Sequence, residues 1–298
     1  MSRVETWWRL ASLSALSATT AYAARWLRDS VDARARGRVP GFPAASSPPA
    51  ARAEQRLSDT RLWRLVERRL VRSVLTPYRV RPGLRPLRIL DVDHGPGGVA
   101  WALAAAAPQD AVVVATDARA GMAELLLERA SRRGARARLA LVRARPERLP
   151  FVDGAFDLAV SAGALHDWRD AEGALREVRR QLAPPAPPAA AAAEAGTAPA
   201  AGGRYLIADL RRDTGWPVWL LIRLAQSLFS PRALRALDEP SASYRAAYSP
   251  PEAEWLAARA RLPDLNVRTG AAWLMIEMRA TLPPDTDNPI LAPKENRQ

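Results

Sequence analysis

The 298-residue sequence contains no cysteine, two histidines and a single lysine. Without cysteine, the chain can form neither disulfides nor thiolate metal sites. His94 and His166 are too few for a histidine-based metal centre, so we expect no metal site. Long apolar runs are scarce too: the uncharged run at residues 10–24 is short of the about 20 apolar residues that a helix needs to span a bilayer.

The positive charge is unevenly distributed along the chain. The net charge is +13, but residues 1–90 hold 18 arginines against 6 acidic residues, whereas residues 91–298 hold 26 basic and 25 acidic residues. A basic region can bind nucleic acid. The neutral remainder and the absence of an RNA-binding motif argue against nucleic acid as a partner. A general compositional bias toward arginine is the alternative explanation.

The first 36 residues predict a basic amphipathic helix. Aromatic residues and arginines flank the uncharged run, at residues 7–9 and 25–28, which suits a helix lying on an anionic membrane surface. An ordinary extension is an equal alternative, and a signal or anchor segment is a third, because residues 21–23 resemble a cleavage site. We expect a cytoplasmic protein, with peripheral membrane contact through residues 1–36 left open.

The rest of the chain divides into a linker, one domain and a tail. Residues 37–60 are rich in Pro, Ala and Ser and predict a linker. Residues 61–282 predict the domain, interrupted at 183–203 by a Pro/Ala/Gly-rich surface insertion. Residues 283–298 predict a polar, disordered tail.

The domain begins with an amphipathic helix, after which strands and helices alternate. Apolar residues at helical spacing between Leu62 and Leu75 predict a helix that packs on the core. The alternation predicts a Rossmann-like three-layer α/β sandwich whose mostly parallel sheet is covered on both faces. The predicted strands are 87–92, 111–117, 137–143, 156–161, 204–210, 266–268 and 272–278. The predicted helices are 98–107, 120–133, 171–182, 216–229 and 251–260.

The segment from Leu87 to Gly98 is the most informative stretch of the sequence. It predicts a buried strand, a glycine-rich turn and the start of a helix, which is how a nucleotide-type cofactor is held at the edge of a parallel sheet. Gly95 and Gly97 allow the backbone to approach a ligand because glycine lacks a Cβ. Asp117, at the end of the second strand, can bind both ribose hydroxyls, or it is a helix cap or loop residue.

Further motifs follow in order along the chain: Ile89–Gly97, Ala115–Asp117, Glu147–Asp157, Val160–Trp168 and Gly202–Leu206. Together they resemble the class I S-adenosylmethionine-dependent methyltransferases, and most closely the small-molecule group that includes quinone-biosynthesis C-methyltransferases. The Leu-Pro-Phe and Leu-His-x-Trp elements are more specific than the glycine turn. The resemblance covers about residues 60–280 and implies a seven-stranded sheet with an antiparallel last strand.

The resemblance also implies a cofactor, S-adenosylmethionine, and residues that contact it. The candidate cofactor-binding residues lie at the strand ends and are Asp91, Asp93, Gly95, Gly97, Asp117, Ala118, Arg145, Pro146 and Ser161. His166, just after the fourth strand, is the candidate catalytic residue, as a base or a substrate contact, or else a hydrogen-bonding residue of its loop. Such enzymes mainly align a nucleophile with the methyl group and exclude water, and they need a base only where the nucleophile must lose a proton.

Three positions depart from the family's pattern. Asp93 replaces the first glycine of the turn and adds a charge that could repel the cofactor's carboxylate or attract its ammonium. Arg145 stands where an acidic residue usually meets the adenine amino group, and Pro146 lacks the N–H that usually meets the ring. Losing two hydrogen bonds of about 1 kcal/mol each weakens binding about 30-fold. A shifted loop register would let Glu147 reach the adenine instead.

The leading hypothesis is methyl transfer to a small, lipophilic acceptor. The apolar segment 216–229, with Tyr244 and Tyr248, predicts a lid over a hydrophobic acceptor site, or ordinary core packing. Because of the three departures, a catalytically inactive scaffold or binding protein of the same fold is the main alternative. An RNA methyltransferase guided by the basic N-terminal region is the third hypothesis.

Overall fold

The computed structural model describes residues 48–78, 86–133, 139–185, 202–262 and 265–280. The predicted helix at 1–36 and the predicted tail at 283–298 lie outside these residues. So do the first part of the predicted linker and most of the predicted insertion, residues 37–47 and 186–201.

Within the described residues, two helices precede the sheet, α1 at Pro48–Ser58 and α2 at Arg61–Leu75. The linker prediction is therefore wrong over Pro48–Ser58. The two prolines lie in the first helical turn, where a missing N–H breaks no helical hydrogen bond, and alanine is the strongest helix former. Helix α2 was predicted, and the side chain of Thr60 caps it by accepting from the Trp63 N–H at 3.3 Å.

Seven strands form one sheet in the order β3-β2-β1-β4-β5-β7-β6. The strands are β1 Arg88–Val92, β2 Val112–Asp117, β3 Leu139–Arg143, β4 Leu158–Ala162, β5 Arg204–Leu210, β6 Leu265–Thr269 and β7 Trp273–Arg279. The first five are parallel, and β7 runs antiparallel between β5 and β6. This confirms the predicted fold. Strand order reverses between β1 and β4, and ligands of such sheets bind there, beyond the carboxyl ends of the strands.

The other helices of the described ranges cover both faces of the sheet. They are α3 Gly98–Ala106, α4 Ala120–Arg133, α5 Ala171–Gln181, α6 Trp216–Phe229, α7 Arg232–Arg235, α8 Ser241–Ala246 and α9 Pro250–Arg259. The sequence pattern does not predict α7 and α8, which are too short to show a helical period. Among the described helices, none combines the length and apolar character needed to cross a bilayer.

The core consists of one apolar layer on each side of the sheet. Alternating residues of β1 point to opposite layers, Ile89 toward α2 and α3, and Leu90 and Val92 toward α5 and α9. All three are fully buried. Because both faces are filled, the open surface for chemistry is the edge at the carboxyl ends of the strands.

Candidate active site

The turn after β1 adopts the conformation that glycines usually provide. Asp93, Gly95 and Gly97 have φ of 59°, 54° and 79°. A Cβ on Gly97 would lie 2.5 Å from Cδ1 of Leu126, so no larger residue fits there. Aspartate tolerates a left-handed backbone better than most residues, and Asp93 therefore keeps the shape of the turn while adding a carboxylate.

Asp117, at the end of β2, is buried, and both of its carboxylate oxygens accept hydrogen bonds. Its Oδ2 accepts from the Gly95 N–H at 3.0 Å. Its Oδ1 accepts from the N–H and Nε of Arg119 at 2.8 and 3.1 Å, and Nη2 of Arg119 donates to Oδ2 at 3.0 Å. The residue predicted to bind ribose hydroxyls thus fixes the glycine turn and pairs with an arginine.

Arg119 is surrounded by carboxylates from three parts of the chain. Besides Asp117, its Nη2 lies 3.9 Å from Oδ1 of Asp93, and its Nη1 lies 3.7 Å from Oε2 of Glu54. Glu54 belongs to α1, which packs against α4 and α7. Neither Arg119 nor Glu54 was predicted: Arg119 is marked only by its position two residues after Asp117, and Glu54 lies in a segment interpreted as linker.

Asp93 links the glycine turn to the loop after β4. Trp168 Nε1 donates to Asp93 Oδ2 at 3.3 Å, and Trp168 is buried. Burial, together with the adjacent Asp117 charge, raises the pKa of Asp93 well above its usual value. Burial acts the same way on Asp117, but its hydrogen bonds from Arg119 prevail and lower its pKa. Asp117 is therefore the more readily ionised member of this pair, and Asp93 is the less readily ionised one.

Asp91 and Ser161 are buried at the ends of adjacent strands. Among the described residues, Oδ2 of Asp91 has no hydrogen-bond partner. Burial and then the nearby Asp117 and Glu67 charges raise the pKa of Asp91 to about 8. Ser161, in β4, is completely inaccessible to solvent.

The loops after β2 and β3 place the other predicted residues differently. Ala118 is half-buried, and its carbonyl accepts from Arg143 Nε at 3.1 Å. Arg145 is exposed, whereas Pro146 is buried. Glu147 Oε1 accepts from the Asp170 N–H at 3.2 Å. Glu147 is thus bound to the start of α5, and the shifted register that would direct it to a ligand is not the one observed.

His166 and Asp209 form a buried pair after β4 and at the end of β5. Nδ1 of His166 lies 2.8 Å from Oδ1 of Asp209, and the His166 backbone N–H donates to Oδ2 at 2.8 Å. Burial disfavours a charged imidazole, but the Asp209 carboxylate outweighs it and raises the pKa of His166 to about 10. At neutral pH the ring is an imidazolium, which can donate a hydrogen bond but cannot act as a base.

Glu239 is a second buried carboxyl close to His166. It precedes α8, which packs against the 3₁₀ turn Leu165–Asp167. Its oxygens accept from the Ser243 N–H at 3.2 Å and the Ser243 hydroxyl at 2.7 Å. Burial raises the pKa of Glu239 to about 7 against these hydrogen bonds and the His166 charge. Sequence patterning does not predict this residue.

The strand order and the charged groups at the carboxyl edge of the sheet agree with a comparison to known protein families. A model of the methyltransferase domain family matches residues 89–185, from the middle of β1 to just beyond α5. This segment is therefore similar to the methyltransferase domain family, and the match covers less than half of the chain. The solved structures that are similar to it share its fold.

Two of these structures show the extent of the likeness. A protein from Methanococcus maripaludis, described as a candidate S-adenosylmethionine-dependent methyltransferase, has a TM-score of 0.57 at 19% identity, with 79% of this chain and 94% of that chain covered. The CurJ carbon methyltransferase has a TM-score of 0.54 at 14% identity, with 76% and 57% covered.

Curated relatives match a part of this chain and not its whole length. The ubiquinone/menaquinone biosynthesis C-methyltransferase UbiE of Xanthomonas oryzae is 34% identical over 117 residues, 39% of this chain and 45% of UbiE. The uncharacterised protein YafE of Escherichia coli is 33% identical over 118 residues, 39% of this chain and 48% of YafE. The chain therefore spans less than half the length of these relatives.

The methyltransferase domain provides groups that fit S-adenosylmethionine. Gly95 and Gly97 keep the turn open, and the carboxyl groups of Asp93 and Asp117 suit a ligand carrying a sulfonium and an ammonium. One feature opposes it: the Asp117 oxygens are bonded to Arg119, so ribose hydroxyls must displace that side chain. No cluster of three or more potential metal ligands occurs among the described residues.

The predicted lid of the methyltransferase domain is only partly directed inward. Trp219 and Tyr244 are buried, and the Tyr244 hydroxyl donates to the Thr214 carbonyl at 3.2 Å. Trp216 and Leu221, by contrast, are 43% and 66% exposed. The prediction that these two residues line an acceptor site is wrong, because they lie on the outer side of α6.

Proposed function

We propose that this chain transfers a methyl group from S-adenosylmethionine to a small, lipophilic acceptor that carries an acidic hydroxyl. The observation that carries the proposal is the buried His166–Asp209 pair beside Glu239, on the same sheet edge as the glycine turn. A positively charged donor and a carboxyl with a pKa near neutrality are the groups that such an acceptor requires.

The cofactor side of the site would bind and orient S-adenosylmethionine. S-adenosylmethionine, when bound, supplies a methyl group already activated on a sulfonium. Gly95 and Gly97 would allow the backbone to approach it, Asp117 would accept from its ribose hydroxyls, and Asp93 would accept from its ammonium. Glu54, on α1, would cover this side and exclude water, since α1 packs against α4 and α7.

The acceptor side would take up a proton and stabilise a developing negative charge. Glu239 would accept the hydroxyl proton of the acceptor, and the His166 imidazolium would donate a hydrogen bond to the oxygen left behind. Charge delocalised from that oxygen makes an adjacent carbon of an enol or phenol nucleophilic. The name of the UbiE relatives supports a quinone-like, C-methylated acceptor of this type.

Binding and transfer of the methyl group test the proposal in two steps. Calorimetry should show S-adenosylmethionine binding to the full chain, weakened at least tenfold in Asp117→Ala because the ribose loses its acceptor. Mass spectrometry should then show an added methyl group on a short-chain hydroquinone probe. The absence of binding at millimolar cofactor would reject the enzyme and favour the scaffold hypothesis.

The scaffold hypothesis has one specific observation in its favour. Arg119 donates three hydrogen bonds to the Asp117 carboxylate and so occupies the acceptors that a ribose would need. Binding of cofactor without transfer to any hydroxylated probe would support a binding protein.

We further propose a cytoplasmic location, because S-adenosylmethionine is a cytosolic metabolite. Peripheral membrane contact through residues 1–36 is proposed from their aromatic and arginine residues alone.

A further inference from the structure

Helix α6 exposes an apolar stripe on its outer side. Pro217, Leu221, Leu224 and Leu228 follow one another at spacings of four, three and four residues and share one face. The three leucines are 66%, 49% and 71% exposed. We call these four residues the outer stripe. An ordinary surface helix directs such a stripe toward the core.

The opposite face of α6 is held inward by polar contacts. Gln226 is buried, its Nε2 donates to Oδ1 of Asp238 at 2.8 Å, and its Oε1 accepts from the Ser241 hydroxyl. Trp219, on the same side, is buried as well. A rotation of α6 that buried the leucines would expose Trp219 and break both Gln226 contacts. These contacts therefore hold the outer stripe toward the solvent.

The charge within the segment that carries the outer stripe has one sign. No acidic residue occurs between Asp213 and Asp238, whereas three arginines do. Arg223 pairs with Asp238 at 2.6 Å. Arg232 and Arg235, in α7, are exposed, and within the described part of the chain neither has a carboxylate partner; Arg235 Nη1 donates only to the Ser227 carbonyl at 3.0 Å.

We propose that the outer stripe of α6 lies on an anionic membrane surface, with Arg232 and Arg235 at the lipid headgroups. Exposed leucines flanked by arginines, with Trp216 at the opposite end, form the pattern of an interfacial helix. A second copy of this chain would offer its own 214–237 segment, which has no carboxylate for these arginines, whereas an anionic headgroup neutralises them.

This placement gives the acceptor a route to the site. The inner side of α6 contacts Asp238 and Ser241, which flank Glu239. An acceptor dissolved in the bilayer would therefore enter beside the buried carboxyl. This last step rests on the proposed function, whereas membrane binding itself does not.

Vesicle flotation of the full chain, without cofactor or acceptor, tests the proposal independently of methyl transfer. The vesicles contain phosphatidylcholine alone or with 30% phosphatidylglycerol, so the two arms separate apolar from charge-driven binding. The stripe variant is Leu221→Gln/Leu224→Gln/Leu228→Gln. The control variant changes three exposed apolar residues outside α6, Leu65→Gln/Val152→Gln/Trp255→Gln. Circular dichroism verifies that each variant is folded.

The expected result is binding to anionic vesicles that falls at least tenfold in the stripe variant and is unchanged in the control. Arg232→Gln/Arg235→Gln should reduce it about thirtyfold, and only on anionic vesicles. Absence of wild-type binding, equal loss in the control, or binding that the stripe variant leaves unchanged would overturn the proposal. A wild-type dimer in light scattering that the stripe variant converts to monomer, without vesicle binding, would instead assign the stripe to a second copy.

Discussion

Nε1 of Trp168 donates to Oδ2 of Asp93 at 3.3 Å and joins two motifs that are far apart in the sequence. The residue that replaces the first glycine of the turn is thus an acceptor for the tryptophan of the loop after β4. Asp93 therefore has a structural partner of its own, in addition to any contact with a ligand.

Asp93→Asn should stabilise the protein increasingly as pH rises. Asparagine keeps the left-handed backbone and an acceptor for Trp168. The pKa of Asp93 is raised in the folded state, so the wild type loses stability as pH rises from the usual value of 3.8 toward the folded value. The melting temperatures of the two proteins should coincide near pH 4 and diverge by pH 8. A difference that stays constant with pH would show that the pKa of Asp93 is the same in the folded and unfolded states.

Arg119→Ala should tighten S-adenosylmethionine binding about tenfold, because it frees the Asp117 carboxylate. The same change should lower the melting temperature of the ligand-free protein, since Asp93, Asp117 and Glu54 lose their shared cation. Calorimetry and thermal unfolding measure the two effects, with Arg176→Ala, an exposed arginine of α5, as the control. Weaker cofactor binding in Arg119→Ala would mean that Arg119 is itself part of the binding site.

The pH dependence of kcat should be bell-shaped. Glu239 acts as a base only when deprotonated, so the rate should rise through about 7. His166 donates only when protonated, so the rate should fall through about 10. Glu239→Gln should remove the rising limb and lower kcat about 100-fold, and His166→Gln should remove the falling limb. A rising limb that persists in Glu239→Gln would assign the base to another group.

Gly97→Ala should cost about 2–4 kcal/mol of folding stability, because φ is +79° and the new Cβ would meet Leu126 at 2.5 Å. Gly121→Ala, in α4, is the matched control. Nothing lies within 4 Å of its added Cβ, and it should stabilise the helix by about 0.5–1 kcal/mol. Urea unfolding measures both. Equal effects at the two positions would contradict the strained geometry of the turn.

The strands and long helices were predictable because their signals are local. Strand β5, Arg204–Leu210, and helix α6, Trp216–Phe229, have the predicted bounds, since a run of apolar residues records the burial of each segment. The placement of Gly95, Asp117 and His166 at one edge follows from parallel topology, in which all carboxyl ends of the strands meet.

The charged partners of the site were not predictable in the same way. Glu54 and Glu239 meet the site through contacts between distant segments, and Arg119 meets Glu54 and Asp93 in the same way. A contact of that kind leaves no period in the sequence. The outward direction of the α6 leucines was missed for a related reason. An apolar helix face in the sequence indicates that the face will be buried. It does not indicate whether the protein's own core or another surface buries it.

The matched segment 89–185 contains the glycine turn, Asp117 and His166, whereas Glu54 precedes it and Asp209 and Glu239 follow it. Strand order brings these separate segments of the chain to one edge of the sheet, although the family match covers only one of them. A family match over residues 89–185 therefore carries no information about Asp209 and Glu239, the residues of the proposed acceptor side that lie beyond it.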